Sequence, residues 1–199
     1  MPKKNIEDIR NDILLRCADA LCIHPGLDMV GLANKTGISR PKLYRYFSNR
    51  DELLIALAMK SLQDIDEACA GIFKGVETHQ EIFQRYFEAI TPIGTRFHFL
   101  ISELWTCENE QVKQEVERQN VEFYEMIEAA KVGGEIRSEL PTSWVSDVFD
   151  ALIVIAWSQL AAGTIARNDA PTLAFDTFWR AVGVADTTSP VTHATIEGG

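Results

Sequence analysis

Apolar residues recur every three or four positions along nearly the whole chain, and no stretch alternates polar and apolar residues over a useful strand length. The first such segment follows Asn5, a good helix N-cap, and Pro25-Gly26 ends it. Two short segments come next, from Met29 to about Thr36 and from Ser39 to Phe47. The pattern predicts an all-α protein of about nine helices.

The segment from Ser39 to Phe47 has one apolar side and one basic side. Ser39 suits the N-cap, and Pro41 falls in the first helical turn, where a missing N–H costs nothing. Leu43 and Phe47 recur four apart and form the apolar side. The other side carries cations and phenols with no carboxylate among them, a composition that favours phosphates and base edges. These residues are Arg40, Lys42, Tyr44, Arg45 and Tyr46.

A glycine separates this helix from the one before it. Asp28 can cap the earlier helix, and Gly37 can adopt the positive φ that ends it. A helix, a glycine-containing turn and a second helix with a basic outer side form the helix-turn-helix unit, whose second helix enters the DNA major groove. An ordinary helical hairpin with a solvated basic side gives the same pattern, and charge and spacing favour DNA binding over it.

The chain after this unit is predicted to be a long connecting helix followed by a helical body. Asn49 and Glu52 form a capping pair for a helix that extends to about Phe73, roughly 35 Å. Further helices are expected over 78–90, from 92 to about 106 and over 110–131. Gly133-Gly134 stops the last of these, and a loop is expected to Pro141.

From Thr142 the helical pattern leaves almost no polar side. Its most apolar run, Ala151 to Trp157, is far shorter than the roughly twenty residues that cross a bilayer, so protein must cover this helix. A second copy of the chain is expected to cover one side, together with a final helix from Pro171 to about Val182. The expected dimer contact consists of Trp144, Val148, Leu152, Ile155, Leu160, Phe175, Phe178, Trp179 and Val182. The tail from about 187 is expected to be disordered.

Charge is distributed unevenly along the chain, whose net charge is −10. Residues 1–50, which we call the head, hold nine Lys/Arg and five Asp/Glu, a net charge of +4. Residues 51–199, which we call the body, hold ten and twenty-four, a net charge of −14. A basic head on an acidic body can bind DNA while the body is held away from the phosphates.

Other classes of function find little support in the sequence. The cysteines show no C-x-x-C pair and the four histidines are scattered, so we expect buried free thiols and neither a metal nor a cofactor. No nucleophile motif or glycine-rich phosphate loop occurs, and His98 and Glu103 are too far apart to define an acid–base pair, so an enzyme is not expected. The charged start and the amphipathic segment after it predict no signal peptide and a cytoplasmic location.

The helix-turn-helix segment resembles the DNA-binding segment of the tetracycline-repressor (TetR) family of transcription regulators. The resemblance covers about Ile6 to Leu57, and beyond it only size and helical pattern agree. Val30 and Gly31 stand where the family usually has polar or charged side chains, and Arg50 where a lysine is usual. The residues that carry the resemblance are Leu32-Ala33, Thr36-Gly37-Ile38-Ser39, Leu43-Tyr44-Arg45-Tyr46-Phe47 and Asn49-Arg50-Asp51-Glu52-Leu53.

The resemblance implies an N-terminal three-helix DNA-binding domain and a C-terminal helical ligand-binding and dimerisation domain. We expect a homodimer that represses transcription from a near-palindromic operator and is released by a small, largely apolar or aromatic ligand. Arg40 and Lys42 are expected to contact guanine, and Pro41 a thymine methyl. The remaining expected DNA contacts, mainly to phosphates, are Ser39, Tyr44, Arg45, Tyr46 and Arg50.

In the family, the region between the connecting helix and the dimer helices encloses the ligand, and the ligand alters the angle of that helix and the spacing of the heads. Each candidate pocket residue in this chain is as readily an ordinary core residue. The candidates are Tyr86, Phe87, Phe97, His98, Ile101, Trp105, Asn120, Phe123, Tyr124, Phe149, Ile153 and Trp157. A DNA-bound structural or adaptor protein with the same head and no small-molecule ligand remains the alternative.

Overall fold

Residues 5–94 and 108–184 are described in a computed structural model of the chain, and they contain eight α-helices. These helices confirm the all-α prediction. The only β-structure in the described residues is a single bridge between Ile136 and Gly183, outside the helices. The helix expected from 92 to about 106 falls almost entirely outside the described residues. The helices are α1 (Ile6–Ile23), α2 (Met29–Thr36), α3 (Arg40–Tyr46), α4 (Arg50–Cys69), α5 (His79–Ile90), α6 (Glu110–Val132), α7 (Thr142–Ala162) and α8 (Ala170–Val182).

The first three helices pack around one aliphatic core, which the first turns of α4 complete. The Arg10 guanidinium lies 4.8 Å from the centre of the Phe47 ring and covers this core from α1. Burial of these side chains holds the two short helices α2 and α3 in place against α1, because helices of seven or eight residues are not stable alone. The fully buried members are Ile13, Cys17, Ala18, Leu21, Leu32, Leu43, Phe47, Leu53 and Leu57.

The connecting helix α4 begins as predicted and ends earlier than predicted. The Asn49 side chain accepts a hydrogen bond from the Glu52 N–H at 2.8 Å, and Glu52 accepts the N–H and the hydroxyl of Ser48, each at 2.7 Å. The helix stops at Cys69, four residues before the expected end at Phe73, and is about 30 Å long. Gly71 adopts a φ of 114°, which no helix accommodates.

The body is built around an aromatic core. The Phe87 ring lies 4.6 Å from the Phe149 ring, and the Phe83 ring lies 5.0 Å from the Phe178 ring, centre to centre. Rings in such offset and tilted contacts stabilise one another beyond the area they bury. The core therefore joins α5, α7 and α8 and fixes the wall on which any pocket in the body is built.

The loop between α6 and α7 is tied to the start of α5 by one carboxylate. Glu135 accepts hydrogen bonds from the backbone N–H groups of His79 and Gln80, at 3.1 and 3.0 Å. Its Oε1 also lies 2.6 Å from the Nδ1 of His79. A carboxylate at a helix N-terminus satisfies free N–H groups and meets the positive end of the helix dipole. Together with the bridge from Ile136 to Gly183, this contact fixes the predicted loop against the body.

Helix α6 fastens the connecting helix to the body. Val112 packs with Ala58 and Leu62 in a small cluster between α4 and α6. Farther along, Gln119 donates hydrogen bonds to the Leu62 carbonyl and to Asp66, both at 3.0 Å. These contacts join α6 to the second half of α4.

Helix α7 is 21 residues long, with a mean hydropathy of 1.5 in its most apolar window, a third of which is buried. By length and composition alone, it is the one helix in the described part of the chain that could cross a membrane. The run from Ala151 to Trp157 is therefore only the most apolar part of a longer apolar helix. One side of α7 enters the body core through Val145, Phe149 and Ile153. The opposite side leaves Trp144 and Ile155 more than half exposed.

Candidate nucleic-acid interface and ligand groove

The turn between α2 and α3 has the predicted geometry. Asp28 accepts a hydrogen bond from the Gly31 N–H at 2.7 Å and caps α2. Gly37 ends α2 with a φ of 66°, and the Ile38 N–H then donates to the Ala33 carbonyl at 3.1 Å. A Cβ at Gly31 would lie 2.8 Å from the Leu27 side chain, so an alanine there would require Leu27 to move. This contact is consistent with a glycine inside so short a helix.

Helix α3 is held by its apolar side and presents its basic side to solvent. Leu43 and Phe47 are fully buried. Ser39 occupies the N-cap position, although its side chain makes no capping hydrogen bond. The structure therefore brings all the expected DNA-contacting residues except Arg50 together on one surface, with one partly buried member, Tyr46. The exposed members are Ser39, Arg40, Pro41, Lys42, Tyr44 and Arg45, and we call them the basic surface.

Arg45 and Tyr46 interact at the end of α3. The Arg45 guanidinium lies 5.0 Å from the centre of the Tyr46 ring, and its Nη2 donates to the Tyr46 hydroxyl at 3.4 Å. Tyr46 also packs against the head core. The ring therefore supports Arg45 from beneath and restricts the positions that its charge can take.

Arg50 is placed differently from the other expected DNA contacts. Its Nε donates to the Leu27 carbonyl at 3.2 Å and its Nη2 to the Pro25 carbonyl at 3.0 Å. These bonds tie the start of α4 to the loop between α1 and α2. The arginine fork reaches two carbonyls at once, which the single ammonium of a lysine does less well. We therefore do not count Arg50 in the basic surface, and its expected contact with DNA stays a prediction.

A groove of about 450 Å³ opens between α4, α5, α6 and α7. That volume lies within the usual range for small-molecule pockets. Half of the candidate pocket residues line it, namely Tyr86, Asn120, Phe123, Phe149, Ile153 and Trp157. Phe87 is fully buried behind the groove, and Tyr124 is exposed outside it. Phe97, His98, Ile101 and Trp105 fall outside the described residues.

Several residues that line the groove were not predicted from the sequence, because the candidates were aromatic side chains and a few polar ones in the body. The end of α4 contributes Asp66, Cys69 and the following Phe73, which recur at helical spacing. Arg118, Gln119 and Glu122 come from α6, and Asp150 from α7. The spacing of Asp66 to Cys69 and of Arg118 to Glu122 was a readable signal, because residues three or four apart share a helix side.

The charged groups of the groove form one network and one separate carboxylate. Arg118 pairs with Asp66, with Glu115 at 2.6 Å and with Glu122 at 2.9 Å. Asp150 has no hydrogen bond or ion pair with a described residue, and it remains accessible to solvent through the groove. Among the described residues, three acids and one arginine line the groove, so the charge of this described lining is net negative.

Titratable groups in the groove respond to this environment. Loss of water around Asp150 raises its pKa to about 6, with a further contribution from the charge of Asp147. Burial likewise raises the pKa of Tyr86 to about 12, assisted by the negative charges of Cys69, Glu122 and Asp66. Burial, with a contribution from Asp66, raises the pKa of the Cys69 thiol to about 11. All three shifts disfavour the anionic form, as expected in a partly desolvated site of negative potential.

The thiols that are described agree in part with the expected burial. Cys17 is buried, whereas Cys22 and Cys69 are only partly buried, and none of the three forms a disulfide. Burial raises the pKa of the Cys17 thiol to about 11, which keeps it in the less reactive protonated form. Cys107 falls outside the described residues.

The expected dimer contact divides into an outer and an inner group. Trp144 and Ile155 are 58% and 53% exposed, and Leu173 on α8 is 55% exposed. Val148, Leu152, Leu160 and Trp179 are partly buried. Phe175, Phe178 and Val182 lie instead in the chain's own core, because the rings of α5 and α7 cover them. These three are therefore not surface residues, and we exclude them from the candidate contact.

No family model matches the sequence, and no curated protein sequence matches it. Solved structures do match. A TetR-family transcription regulator from Marinobacter aquaeolei VT8 is 17% identical, with a TM-score of 0.69 over 89% of this chain and 97% of that one. LfrR from Mycobacterium smegmatis, a TetR-like transcriptional regulator in complex with proflavine, is 18% identical, with a TM-score of 0.72 over 87% and 96%.

A third match extends the likeness over the same length. KstR2 of Mycobacterium tuberculosis, a ketosteroid transcriptional regulator, is 13% identical, with a TM-score of 0.75 over 91% of this chain and 98% of that one. The likeness spans head and body together, whereas the sequence resemblance covered the head alone. At the level of the fold it confirms that resemblance: the chain has the fold of the TetR-family transcription regulators.

Proposed function

We propose that the protein is a homodimeric, sequence-specific DNA-binding transcription regulator, which represses from a near-palindromic operator until a small ligand releases it. The basic surface carries this proposal. It holds three exposed cations, Arg40, Lys42 and Arg45, within six positions and no acid, on a helix whose other side is fully buried. Such a helix, standing after a glycine turn, has the shape and charge of a recognition helix.

The basic surface suggests a division of labour at the DNA. Arg40 and Lys42 lie in the first turn of α3, and their donors suit the N7 and O6 acceptors of guanine. Pro41 between them offers an apolar contact to a thymine methyl. Ser39, Tyr44 and Arg45 then suit the phosphates on either side, and contacts of that kind fix the position of the helix without reading sequence.

The outer side of α7 suggests how two heads are held at a fixed distance. Residues that are seven or eleven apart on a helix share a side, and Trp144, Val148, Ala151 and Ile155 form such a stripe opposite the core. None of these side chains is buried within the chain. A second copy that covers the stripe, together with Leu173 of α8, would make a symmetric contact that places two recognition helices about 34 Å apart.

The groove suggests how a ligand acts on the heads. It lies against the end of α4, and Arg118 and Gln119 join α6 to α4 at the same place. A ligand can lower DNA affinity only by as much as it binds more tightly to the state whose head spacing does not fit the operator. Two structural neighbours agree with a small-molecule role, since one holds proflavine and another is named a ketosteroid regulator. The open groove also favours a ligand-controlled regulator over an adaptor without one.

Selection of bound sequences from random duplex DNA at near-cellular salt tests the proposal. An inverted repeat with half-sites about one helical turn apart is expected. Arg40→Ala should then weaken binding to the selected sequence by about 1–3 kcal/mol and relax one base position in each half-site. Lys74→Ala, an exposed lysine in the body, is the matched control and should leave binding unchanged. Recovery of no preferred sequence would contradict the proposal.

A further inference from the structure

The groove offers a ring-shaped ligand an aromatic wall. The Phe123 ring lies 4.7 Å from the Phe149 ring and 5.4 Å from the Tyr86 ring, centre to centre, and all three line the groove. Trp157 completes the wall, and its Nε1 donates to the Ile90 carbonyl at 3.3 Å, which fixes the indole in place. Aromatic faces carry a negative quadrupole, so they attract both apolar rings and cations.

The charges that line the groove distinguish between these two kinds of ligand. Arg118 already binds Asp66 and Glu122, so its positive charge is engaged within the network. Asp150, on the α7 side, has no such partner among the described residues. Its neighbour Asp147, three positions earlier on α7, brings another negative charge rather than a cation. A neutral ligand would desolvate Asp150 further without supplying a partner, whereas a cation would supply one.

We propose that the groove binds an aromatic cation, with its rings against Phe123, Phe149 and Trp157 and its positive charge at Asp150. This inference deepens the proposed function, on which its regulatory meaning rests, by naming the chemical class of the effector. The carboxylate and the ring faces act in the same direction, because each attracts positive charge and each is stronger where water is excluded. Anionic aromatics are disfavoured by the same field.

Three dyes of similar shape and different charge test the inference by calorimetry on the full-length protein without DNA. Thioflavin T is the cationic probe, its parent benzothiazole without the ring N-methyl group is the neutral one, and an anilinonaphthalene sulfonate is the anionic one. The cation should bind about tenfold or more tightly than the neutral parent, which corresponds to about 1.4 kcal/mol. The anion should bind more weakly than either.

Variants of one carboxylate separate charge from shape. Asp150→Asn keeps the size of the side chain and should weaken the cation about tenfold while changing the neutral parent by less than about twofold. Asp150→Glu should retain the preference for the cation. Asp176→Asn removes an exposed acid on α8 outside the groove and is the charge-matched control, with no expected effect.

Equal binding of cation and neutral parent, an unchanged cation affinity in Asp150→Asn, or no cation binding below about 1 mM would each overturn the inference. The outcome of the DNA-selection experiment does not depend on the outcome of this one. Charge-selective binding in a protein that selects no operator would leave the groove assignment standing and contradict the regulator. Operator binding without charge-selective binding would support the regulator and contradict the groove assignment.

Discussion

The head and the body differ in both the shape and the charge of their candidate binding surfaces. In the head, buried Leu43 and Phe47 hold α3 so that its cations stand outward on a convex surface. In the body, Phe123 and Phe149 line a concave groove whose described lining residues carry a net negative charge. A convex basic surface suits a large polyanion, and a concave acidic one suits a small cation. The two proposed sites would therefore bind ligands of opposite charge without competition between them.

One helix belongs to both regions. Near its start, α4 contributes Leu53 and Leu57 to the head core, and near its end it contributes Asp66 and Cys69 to the groove. Because α4 is a continuous helix of about 30 Å, the proposed ligand response would require it to shift or rotate as a whole element. The helix that the two regions share is therefore the physical link that this proposal needs.

The largest expected effect comes from the core beneath the basic surface. Leu43→Ala creates a cavity under α3 and should lower the free energy of unfolding by about 2–5 kcal/mol, with loss of DNA binding. Chemical denaturation monitored by circular dichroism measures the loss of stability. Lys42→Ala, one residue earlier and exposed, is the control: it should weaken DNA binding while leaving stability within about 0.5 kcal/mol. Equal destabilisation by both would mean that α3 is not anchored as described.

The next effect concerns the outer side of α7. Trp144→Asp places a charge in the proposed contact and should weaken the dimer by about tenfold or more, as measured by analytical ultracentrifugation over a concentration series. Val132→Asp is the control, since Val132 is 89% exposed at the end of α6 and lies outside the stripe. A monomeric parent protein, or equal dissociation of both variants, would contradict the proposed contact.

A smaller effect is expected where the head joins the connecting helix. Asn49→Ala removes the cap of α4 and should cost about 1 kcal/mol of stability, because the Glu52 N–H loses its acceptor. Asn34→Ala, at an exposed position inside α2, is the control and should cost nothing. Thermal unfolding at pH 7 compares the two. An unchanged melting temperature for Asn49→Ala would contradict this role of the cap and would show that the bonds between Ser48 and Glu52 are enough to hold the start of α4.

The smallest effect is a pH dependence in the groove. The pKa of Asp150 is raised to about 6, so between its ordinary value and 6 the folded state binds more protons than the unfolded state. Stability from this group therefore falls as pH rises through that window. Asp150→Asn should be more stable than the parent at pH 7.5, by under about 1 kcal/mol because the side chain is accessible to water, and the two should converge near pH 4. A parent that gains stability relative to Asp150→Asn on raising pH would contradict the described environment.

The parts of the fold that sequence predicted are those determined by neighbouring residues. The caps at Asp28 and Asn49 and the positive φ of Gly37 depend on the few positions around each, so the head could be placed almost residue by residue. The end of α4 could not, because the pattern of apolar residues continues past Cys69 while Gly71 leaves the helical conformation.

The groove and the dimer contact depend on packing between distant helices. Asp150 lies in an apolar helix, and only the docking of α7 shows that it lines the same groove as the aromatic wall. Phe175 and Phe178 were expected at a subunit contact because they lie on the final helix, which was expected to cover the apolar helix together with a second copy. The body's own rings bury them instead. Likewise, only the packing of the head shows that Arg50, an expected DNA contact, donates hydrogen bonds to two backbone carbonyls.

The central claim is that two copies of α3 reach one duplex at a fixed separation, and the most direct test changes that separation in the DNA. Once a preferred inverted repeat is known, about five base pairs inserted between its half-sites turn one half-site to the opposite side of the helix. Fluorescence anisotropy at constant salt should then show affinity reduced to that of an unrelated duplex, with each half-site intact. Unchanged affinity for the lengthened site would contradict the account.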